Sequence, residues 1–323
     1  MTTKIEWAER TWNPIVGCSL MSAGCTNCYA MALAWRMANN PSASLRAKYE
    51  GTVQLVKGKA VWTGKVNLSE KALLEPLRRQ KPTVWFVNSM GDLFHSDITD
   101  QQIDRIFAVM ALCPQHIFQV LTKRPKRMRE YCISRFGGWG EMLLTDAIEA
   151  LSGFEKDGGG EWGKPLPNVW LGVTIEDKRA LLQRAALLKE TPATLRFWSC
   201  EPLLGHLGYI PPDVMPDWVI SGGESGSGAR PSHPAWHTHL RDQCMKAGIP
   251  YFFKQWGTFS PIRQIGGRFD HRERIDTRVM LSGDHGGHNG WPMKRQPKHL
   301  SGRTLEGIEY NQMPAILTKG AAA

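Results

Sequence analysis

The sequence predicts an α/β protein built as a complete or partial (β/α) barrel of about six to seven parallel strands. Six short apolar runs between residues 83 and 257 end in polar or glycine-rich residues, and amphipathic helical patterns lie between several of them. Continuous apolar runs that alternate with helices are typical of parallel strands covered on both faces. A doubly wound open sheet is the alternative arrangement of the same units.

The first quarter of the chain has its own local pattern. A first strand is expected around NPIVGC (13–18), and the Ala-, Met- and Leu-rich stretch YAMALAWRMANN (29–40) predicts a helix. The segment GTVQLVKGKAVWTGKVNLSE (51–70) alternates apolar and polar residues, and Gly58 and Gly64 are turn signals within it. This segment therefore predicts hairpin-like strands.

The remaining barrel strands are expected from residue 83 onwards. The runs are TVWFVNSMGD (83–92), HIFQVLTKR (116–124), NVWLGVTIED (168–177), LRFWSCEP (195–202), DWVISGGES (217–225) and PYFFKQWG (250–257). The segments DQQIDRIFAVMALC and EDKRALLQRAALLK predict two of the helices between them. Together with the first strand, these runs make about seven β/α units.

Two segments do not follow this alternation. FEKDGGGEWGKPLP (154–167) is a Gly/Pro-rich loop, and the chain past residue 257 is basic and rich in glycine. We therefore predict two parts, since the composition changes at that point. Residues 1–257 form the barrel with an N-terminal cysteine loop, and residues 258–323 form a basic, irregular C-terminal extension packed on the barrel.

Charge and hydropathy restrict the partners. The formal net charge of +10 favours a polyanionic partner, either nucleic acid or a nucleotide-derived substrate. Moderate basicity also serves solubility alone, and charge by itself favours neither explanation. No run of eighteen apolar residues occurs, and MTTKIEWAER lacks the layout of a signal peptide. We expect a cytoplasmic protein with no membrane partner.

The chain has seven cysteines, which in a cytoplasmic protein do not indicate a disulfide framework. Four of them are dispersed in or beside apolar segments and are expected to be buried: Cys113, Cys132, Cys200 and Cys244. The other three, Cys18, Cys25 and Cys28, form a C-x6-C-x2-C pattern in GCSLMSAGCTNCYA. These three require a separate explanation.

Three thiolates without a fourth protein ligand suit a [4Fe–4S] cluster in which one iron stays open. A structural zinc site of the Cys3His type is the competing interpretation. Since no histidine precedes residue 95, zinc would require a distant ligand such as His95. A redox dithiol explains Cys25 and Cys28 but leaves Cys18 without a role. The spacing favours iron–sulfur over zinc.

Polar residues at the ends of the six apolar runs are candidate site residues, because parallel α/β folds form their active sites at the carboxyl ends of the strands. For a single residue, turn chemistry or helix capping is an equally good explanation. Six such ends together predict one polar pocket. The residues are Asn88, Ser89 and Asp92; Thr122, Lys123 and Arg124; Thr174 and Glu176; Ser199 and Glu201; Ser221 and Glu224; Lys254 and Gln255.

Several of these segments carry a family resemblance. TWNPIVGCSLMSAGCTNCYA, GDLFH, LTKRP, WLGVTIED, SCEPLLG, SGGESG, FKQWG and GRTLEGIEYNQMP resemble a phage- and bacteria-associated three-cysteine-motif family of unknown function, of the DUF5131 type. The resemblance covers nearly the whole chain. More broadly, a cysteine triplet after the first barrel strand resembles the radical S-adenosylmethionine superfamily. The commonest spacing there is C-x3-C-x2-C with an aromatic residue before the last cysteine, whereas here the first gap is six residues and Asn27 precedes Cys28.

The broader resemblance implies a [4Fe–4S] cluster, S-adenosylmethionine and an electron donor. It implies an enzyme that repairs or modifies a nucleic-acid or nucleotide-derived substrate. The rival function is a zinc-stabilised nucleic-acid-binding protein without catalytic activity. The implied metal ligands are Cys18, Cys25 and Cys28.

The implied cofactor contacts are assigned by position. The residues after the second barrel strand, Ser89, Met90, Gly91 and Asp92, are expected at the methionine end, and Lys123 or Arg124 at its carboxylate. Glu176 and Glu201 are expected at the ribose or the substrate. Gly222, Gly223 and Glu224 form a Gly-Gly-Glu like that of the superfamily, at the sixth strand instead of the second. The glycine pair is either a tight turn or a phosphate or ribose contact.

Overall fold

The structure is a computed structural model that describes residues 5–136, 140–152, 163–265, 268–270, 273–279 and 290–315. Most of the Gly/Pro-rich loop at 154–167 lies outside the described residues, as do parts of the C-terminal extension. Among the described residues, no helix is long and apolar enough to cross a membrane.

The chain forms eighteen strands and nine helices within the described ranges. The strands are β1 (Arg10–Trp12), β2 (Ile15–Val16), β3 (Val53–Val56), β4 (Lys59–Trp62), β5 (Asn67–Leu68), β6 (Val84–Val87), β7 (Ile117–Thr122), β8 (Val169–Thr174), β9 (Leu195–Cys200), β10 (Trp218–Gly222), β11 (Tyr251–Gln255), β12 (Phe259–Pro261), β13 (Gln264–Ile265), β14 (Arg268–Phe269), β15 (Thr277–Val279), β16 (Trp291–Arg295), β17 (Thr304–Leu305) and β18 (Ile308–Glu309). The helices are α1 (Tyr29–Ala38), α2 (Ala43–Tyr49), α3 (Glu70–Leu73), α4 (Asp100–Ala111), α5 (Pro125–Arg135), α6 (Gly140–Ser152), α7 (Lys178–Lys189), α8 (Pro234–Lys246) and α9 (Lys298–Ser301).

The main sheet has seven strands in the order β1-β6-β7-β8-β9-β10-β11, and every neighbouring pair is parallel. Strands that follow one another along the sheet in chain order are the arrangement of a (β/α) barrel, and here they curl into a half-barrel. The prediction of an α/β partial barrel with seven parallel strands is confirmed. The six apolar runs from residue 83 onwards each contain one of these strands.

The predicted position of the first barrel strand is wrong. The first strand of the sheet is β1, which begins at Arg10 and pairs with β6. The predicted segment contains β2, which pairs antiparallel with β5 outside the main sheet. Pro14 lies between the two strands and has no backbone N–H to continue the ladder. The side chain of Asn13, which follows β1, accepts hydrogen bonds from Ser89 Oγ and Met90 N, both at 3.0 Å.

Side chains alternate between the two faces of the sheet, and each face has its own apolar core. The convex face packs against the helices in the largest cluster, which includes Trp12, Phe118 and Trp198. The concave face holds a second cluster, in which Trp7 fills the curl of the sheet. Trp7 contacts Phe86 at a ring-centroid distance of 4.7 Å. Aromatic side chains thus fill this part of the concave face.

The local predictions before and between the strands agree with the structure. The hairpin of β3 and β4 and the helix α1 form where the pattern predicts them, and α4 and α7 occupy the two amphipathic segments. The four dispersed cysteines, Cys113, Cys132, Cys200 and Cys244, are all buried.

The C-terminal extension contains short antiparallel strands, with β16 between β12 and β15. Its last described segment runs along the free edge of β11. Tyr310 O accepts a hydrogen bond from Phe253 N at 2.8 Å, and Asn311 forms an isolated antiparallel bridge with Phe252. These contacts cover an edge strand that otherwise exposes unpaired backbone groups. The division at residue 257 stays a prediction.

Candidate functional site

A polar layer lies beyond the concave apolar core, at the carboxyl ends of the strands. Lys123 Nζ donates to Thr174 Oγ1 at 3.1 Å, which links the ends of β7 and β8. Lys254 Nζ donates to Glu201 Oε2 at 2.7 Å, which links the ends of β9 and β11. The predicted convergence of polar strand ends is thus present in these two pairs. We call this opening of the half-barrel the mouth.

The segment 17–28, here called the cysteine loop, lies over the mouth. It begins at Gly17, which forms a parallel bridge with Gly91 at the end of β6. A 3₁₀ turn at Ala23–Cys25 follows, and Cys28 is the residue before α1. The loop therefore carries all three clustered cysteines between the ends of the strands and the first helix.

Arg124 attaches the first part of the cysteine loop to the end of β7. Its guanidinium donates to Ser19 Oγ at 2.7 Å and to Cys18 Sγ at 3.8 Å. Asp92 holds Arg124 in place by accepting from it at 2.7 Å, and Asp92 also accepts from Thr122 Oγ1 and from Lys123 N. The side chains of Arg124 and Asp92 are 9% and 7% exposed, so this ion pair is largely desolvated.

Glu176 attaches the middle of the cysteine loop to the end of β8. One carboxylate oxygen accepts a hydrogen bond from Ser22 Oγ. The other accepts from Arg184 of α7 at 2.7 Å, and the same Arg184 nitrogen donates to Thr174 O. Glu176 is wholly buried, so Arg184 supplies the charge compensation that a buried carboxylate requires.

Glu224 attaches the last part of the cysteine loop to the end of β10. It accepts from Arg230 through both oxygens, at 2.9 and 2.6 Å, and from Asn27 Nδ2 at 3.1 Å. Arg230 also donates to Ala23 O at 2.9 Å. The pKa of Glu224 is lowered overall: burial raises it, but the hydrogen bonds and charge of Arg230, together with Asn27, outweigh burial. The loop is therefore fastened at three strand ends.

The three clustered cysteines are each partly exposed. Burial raises the pKa of the Cys18 thiol to about 11; the Asp92 carboxylate adds to the increase and the Arg124 guanidinium opposes it. Burial also raises the pKa of Cys28, while the backbone N–H of Ala30 and the Lys123 ammonium oppose this increase. Cys18 and Cys28 are therefore thiols at neutral pH in the metal-free protein.

This protonation state leads to a test by alkylation. In metal-free protein at pH 8, we expect iodoacetamide to modify Cys18 roughly 10–100-fold more slowly than a free peptide thiol, because so little thiolate is present. The rate should increase as the pH approaches about 11. Peptide mass spectrometry over time measures it, and the same chain in urea is the control. Equal rates for Cys18 in native and urea-unfolded protein at pH 8 would contradict the prediction.

The three cysteines of the loop are suitable ligands for a metal or cluster, but the loop has to rearrange before they can bind one. Among the described residues, no three His, Cys, Asp or Glu side chains are gathered into a ligand set. Cys18 contacts Arg124, and Cys25 accepts from Met21 N at 3.4 Å. Three partly exposed cysteines on one twelve-residue loop match a three-thiolate site once Cys18 turns away from Arg124.

His95, the candidate fourth zinc ligand, lies beside the cysteine loop. Its Nε2 is 3.0 Å from Ser19 Oγ, and its Nδ1 accepts from Asp97 N at 3.3 Å. Burial, and then the Arg124 guanidinium, lowers the pKa of His95, so the ring is neutral. Because Nδ1 is the acceptor, Nε2 carries the proton and donates to Ser19. Zinc binding at Nε2 would have to displace this hydrogen bond and shift the tautomer.

The residues predicted to contact the cofactor after β6 differ in how accessible they are. Ser89 lies at the mouth, where its carbonyl oxygen accepts from Tyr29 Oη at 3.1 Å. Met90 is buried in an apolar cluster beside Cys18 and Cys28, so its side chain serves packing. Gly91 allows the backbone of Gly17 to approach, since a Cβ at Gly91 would lie 2.9 Å from Gly17 O.

Glu201 is the predicted carboxylate that has one oxygen without a hydrogen-bond partner among the described residues. This oxygen, Oε1, is buried, whereas Oε2 accepts from Lys254. Gly222 packs against Glu201 and Lys254, since a Cβ there would lie 3.4 Å from side-chain atoms of each. Gly223 lies so close to Trp256 O that no Cβ fits, so it serves the turn after β10.

Several site residues were missed by the sequence analysis. Tyr29 is 57% exposed, and its ring is an aromatic surface near the mouth. Ser22 and Arg230 hold the loop through long-range contacts with Glu176 and Ala23. Arg184 compensates the charge of Glu176 from eight residues along the chain. Arg184 had a usable signal: it lies on the same face of α7 as the buried Leu181 and Leu188, and a charged residue on an apolar face requires a buried partner. The others show no periodic pattern.

The arrangement of a three-cysteine loop over a seven-stranded half-barrel can now be compared with known proteins. A family model described as Protein of unknown function (DUF5131) matches residues 2–314. The chain belongs to this family. No curated protein and no solved structure matches the chain. The DUF5131 match confirms the family resemblance carried by the motifs.

Proposed function

We propose that this chain is an iron–sulfur enzyme of the radical S-adenosylmethionine type that acts on a nucleic-acid or nucleotide-derived substrate. One observation carries the proposal: three partly exposed cysteines lie on one loop over the carboxyl ends of a parallel half-barrel. Cys18, Cys25 and Cys28 would hold a [4Fe–4S] cluster. When bound, such a cluster binds S-adenosylmethionine at its open iron and supplies the electron for its reductive cleavage.

The residues around the loop suit this assignment. Lys123 and Arg124 place two positive charges near the thiols, which favours the thiolate form that a cluster requires. Arg124 already bonds Asp92 and Ser19, whereas Lys123 Nζ donates to Thr174 alone among the described residues. We therefore assign Lys123 to the methionine carboxylate. Glu201 has an oxygen free to accept from a ribose hydroxyl.

The substrate class rests on charge and on a neighbouring cavity. A cavity of about 450 Å³ is lined by Ser225 and Ser227 after β10 and by Arg295 and Lys298 of the extension. It adjoins the cysteine loop, because Asn27 Nδ2 donates to Gly228 O at 2.7 Å. Cations and serine hydroxyls suit phosphates, and the exposed ring of Tyr29 at the mouth suits a base. A cytoplasmic location with a soluble electron donor belongs to this proposal, since reducing conditions keep thiols available.

Metal content and cofactor cleavage test the proposal. Protein purified without oxygen should contain about four irons per chain and absorb near ~400 nm, with bleaching by dithionite. It should cleave S-adenosylmethionine to 5′-deoxyadenosine. Cys18→Ala, Cys25→Ala and Cys28→Ala should each reduce this cleavage to background, whereas Cys113→Ala, at a buried cysteine far along the chain, should retain it. About one zinc and no iron would overturn the proposal.

The zinc-stabilised nucleic-acid-binding protein stays the second candidate because His95 lies beside Ser19 in the cysteine loop. A Cys3His site predicts that His95→Ala abolishes metal binding along with the cysteine substitutions. The iron–sulfur proposal predicts that His95→Ala retains iron. This variant therefore separates the two candidates without requiring catalytic turnover.

A further inference from the structure

A second polar pocket lies at the end of the sheet opposite the cysteine loop. It has a volume of about 320 Å³, and its wall includes Arg10, Arg78, Arg79 and Lys81. Arg10 is the first residue of β1, and the other three precede β6, so the pocket opens at the amino ends of these strands. The proposed chemistry at the cysteines makes no use of this end of the half-barrel.

The pocket carries excess positive charge. Glu75 is the one carboxylate in its wall, against four cations. Arg79 Nε donates to Thr83 Oγ1 at 2.5 Å, which is a neutral partner. Within the described ranges, none of the four cations forms an ion pair with a carboxylate. Four cations gathered around one small cavity repel one another unless an anion joins them, so the pocket is electrostatically suited to an anionic ligand.

Trp85 forms part of the pocket wall. Trp85 is wholly buried, and its indole N–H has no acceptor among the described residues. The Arg10 guanidinium lies 5.6 Å from the centre of the Trp85 ring, a cation–π contact that keeps this guanidinium at the pocket. The indole N–H groups of Trp7, Trp198 and Trp236 are likewise buried without an acceptor among the described residues, so a ligand is inferred from the four cations.

We propose that this pocket binds phosphate groups, and that in the functioning protein these belong to the backbone of a nucleic-acid strand. Guanidinium groups match phosphate oxygens in geometry and charge. Trp85 is buried and so offers no exposed face on which a base could stack. The pocket therefore contacts phosphate without reading the base, as backbone-binding sites do. The proposal does not rest on the chemistry assigned to the cysteines.

Salt-dependent binding of a fluorescently labelled single-stranded oligonucleotide tests the proposal. Arg78 and Lys81 are exposed, so the double variant Arg78→Ala/Lys81→Ala should fold normally. Measured by anisotropy at low salt, its Kd should increase by about tenfold or more. The slope of log Kobs against log salt should fall by roughly 1–2, because each lost phosphate contact removes about 0.7 from a single-strand slope.

Lys59→Ala/Lys246→Ala is the matched control, since it removes the same charge from exposed positions on β4 and α8. If the control loses as much affinity and slope as the pocket variant, the protein responds to net charge and the proposal is overturned. Calorimetry with inorganic pyrophosphate distinguishes the source of the phosphate. Pyrophosphate binding that the pocket variant loses, with unchanged oligonucleotide binding, would keep the phosphate site and overturn its assignment to nucleic acid.

Discussion

Replacing Arg184 with methionine is expected to lower the free energy of unfolding by about 3–5 kcal/mol, because it leaves the carboxylate of Glu176 buried without its cation. Glu176 is wholly buried, and Arg184 supplies a 2.7 Å ion pair to it. Methionine keeps an apolar stem of similar length in α7, so the loss measures charge compensation more than packing. Urea unfolding followed by circular dichroism measures the change.

Two further variants identify the cause of this loss. Arg105→Met removes the cation from an exposed pair with Glu70, whose side chain is 65% exposed, and should cost less than about 1 kcal/mol. Glu176→Gln in the Arg184→Met background removes the unpaired charge and should restore part of the stability. If Arg184→Met and Arg105→Met are equally mild, the pair with Glu176 does not hold the site as the geometry implies.

The ends of the strands could be predicted from the sequence, and the contacts that organise them could not. A buried parallel strand is a continuous apolar run, so β7 and β8 and the polar residues after them are visible in the sequence. Whether Lys123 contacts Thr174, or Glu201 contacts Lys254, depends on which strands are neighbours in the sheet and on how the sheet curls. Both arise only when distant segments of the chain pair. The first strand was misplaced because the apolar residues of the segment IVG (15–17) follow Pro14, whereas the true strand ends at Trp12, just before it.

The cysteine loop shows the same division. Its three clustered cysteines are visible in the sequence, whereas the residues that fasten the loop come from distant parts of the chain. Arg230 reaches Ala23 across a separation of 207 residues, and Ser22 reaches Glu176 across 154. No local pattern encodes such contacts. The contacts of Asp92 are another example: its oxygens accept from Thr122, Arg124 and two backbone N–H groups, so it positions Arg124. Its predicted contact with a cofactor stays a prediction.

Gly17→Ala is the second substitution with a large expected effect, because Gly17 starts the cysteine loop where the chain has no room for a side chain. Its φ is +96°, and a Cβ there would overlap Lys65 O and lie 3.1 Å from Thr52 Cγ2. The left-handed backbone costs about 1–2 kcal/mol in a non-glycine residue, and overpacking adds about 1–3 kcal/mol. Urea unfolding should therefore show a loss of about 2–5 kcal/mol.

Gly64→Ala separates these two contributions. Gly64 has the same φ of +96° but nothing within 4 Å of its Cβ position, so alanine there incurs only the backbone cost. We expect Gly17→Ala to exceed Gly64→Ala by about 1–3 kcal/mol. Under the proposed function, Gly17→Ala should also lower the iron content, since the neighbouring Cys18 moves with the loop, and Gly64→Ala should not. Equal stability losses would show that the loop moves away from Lys65 freely, and the close approach would then not position the cysteines.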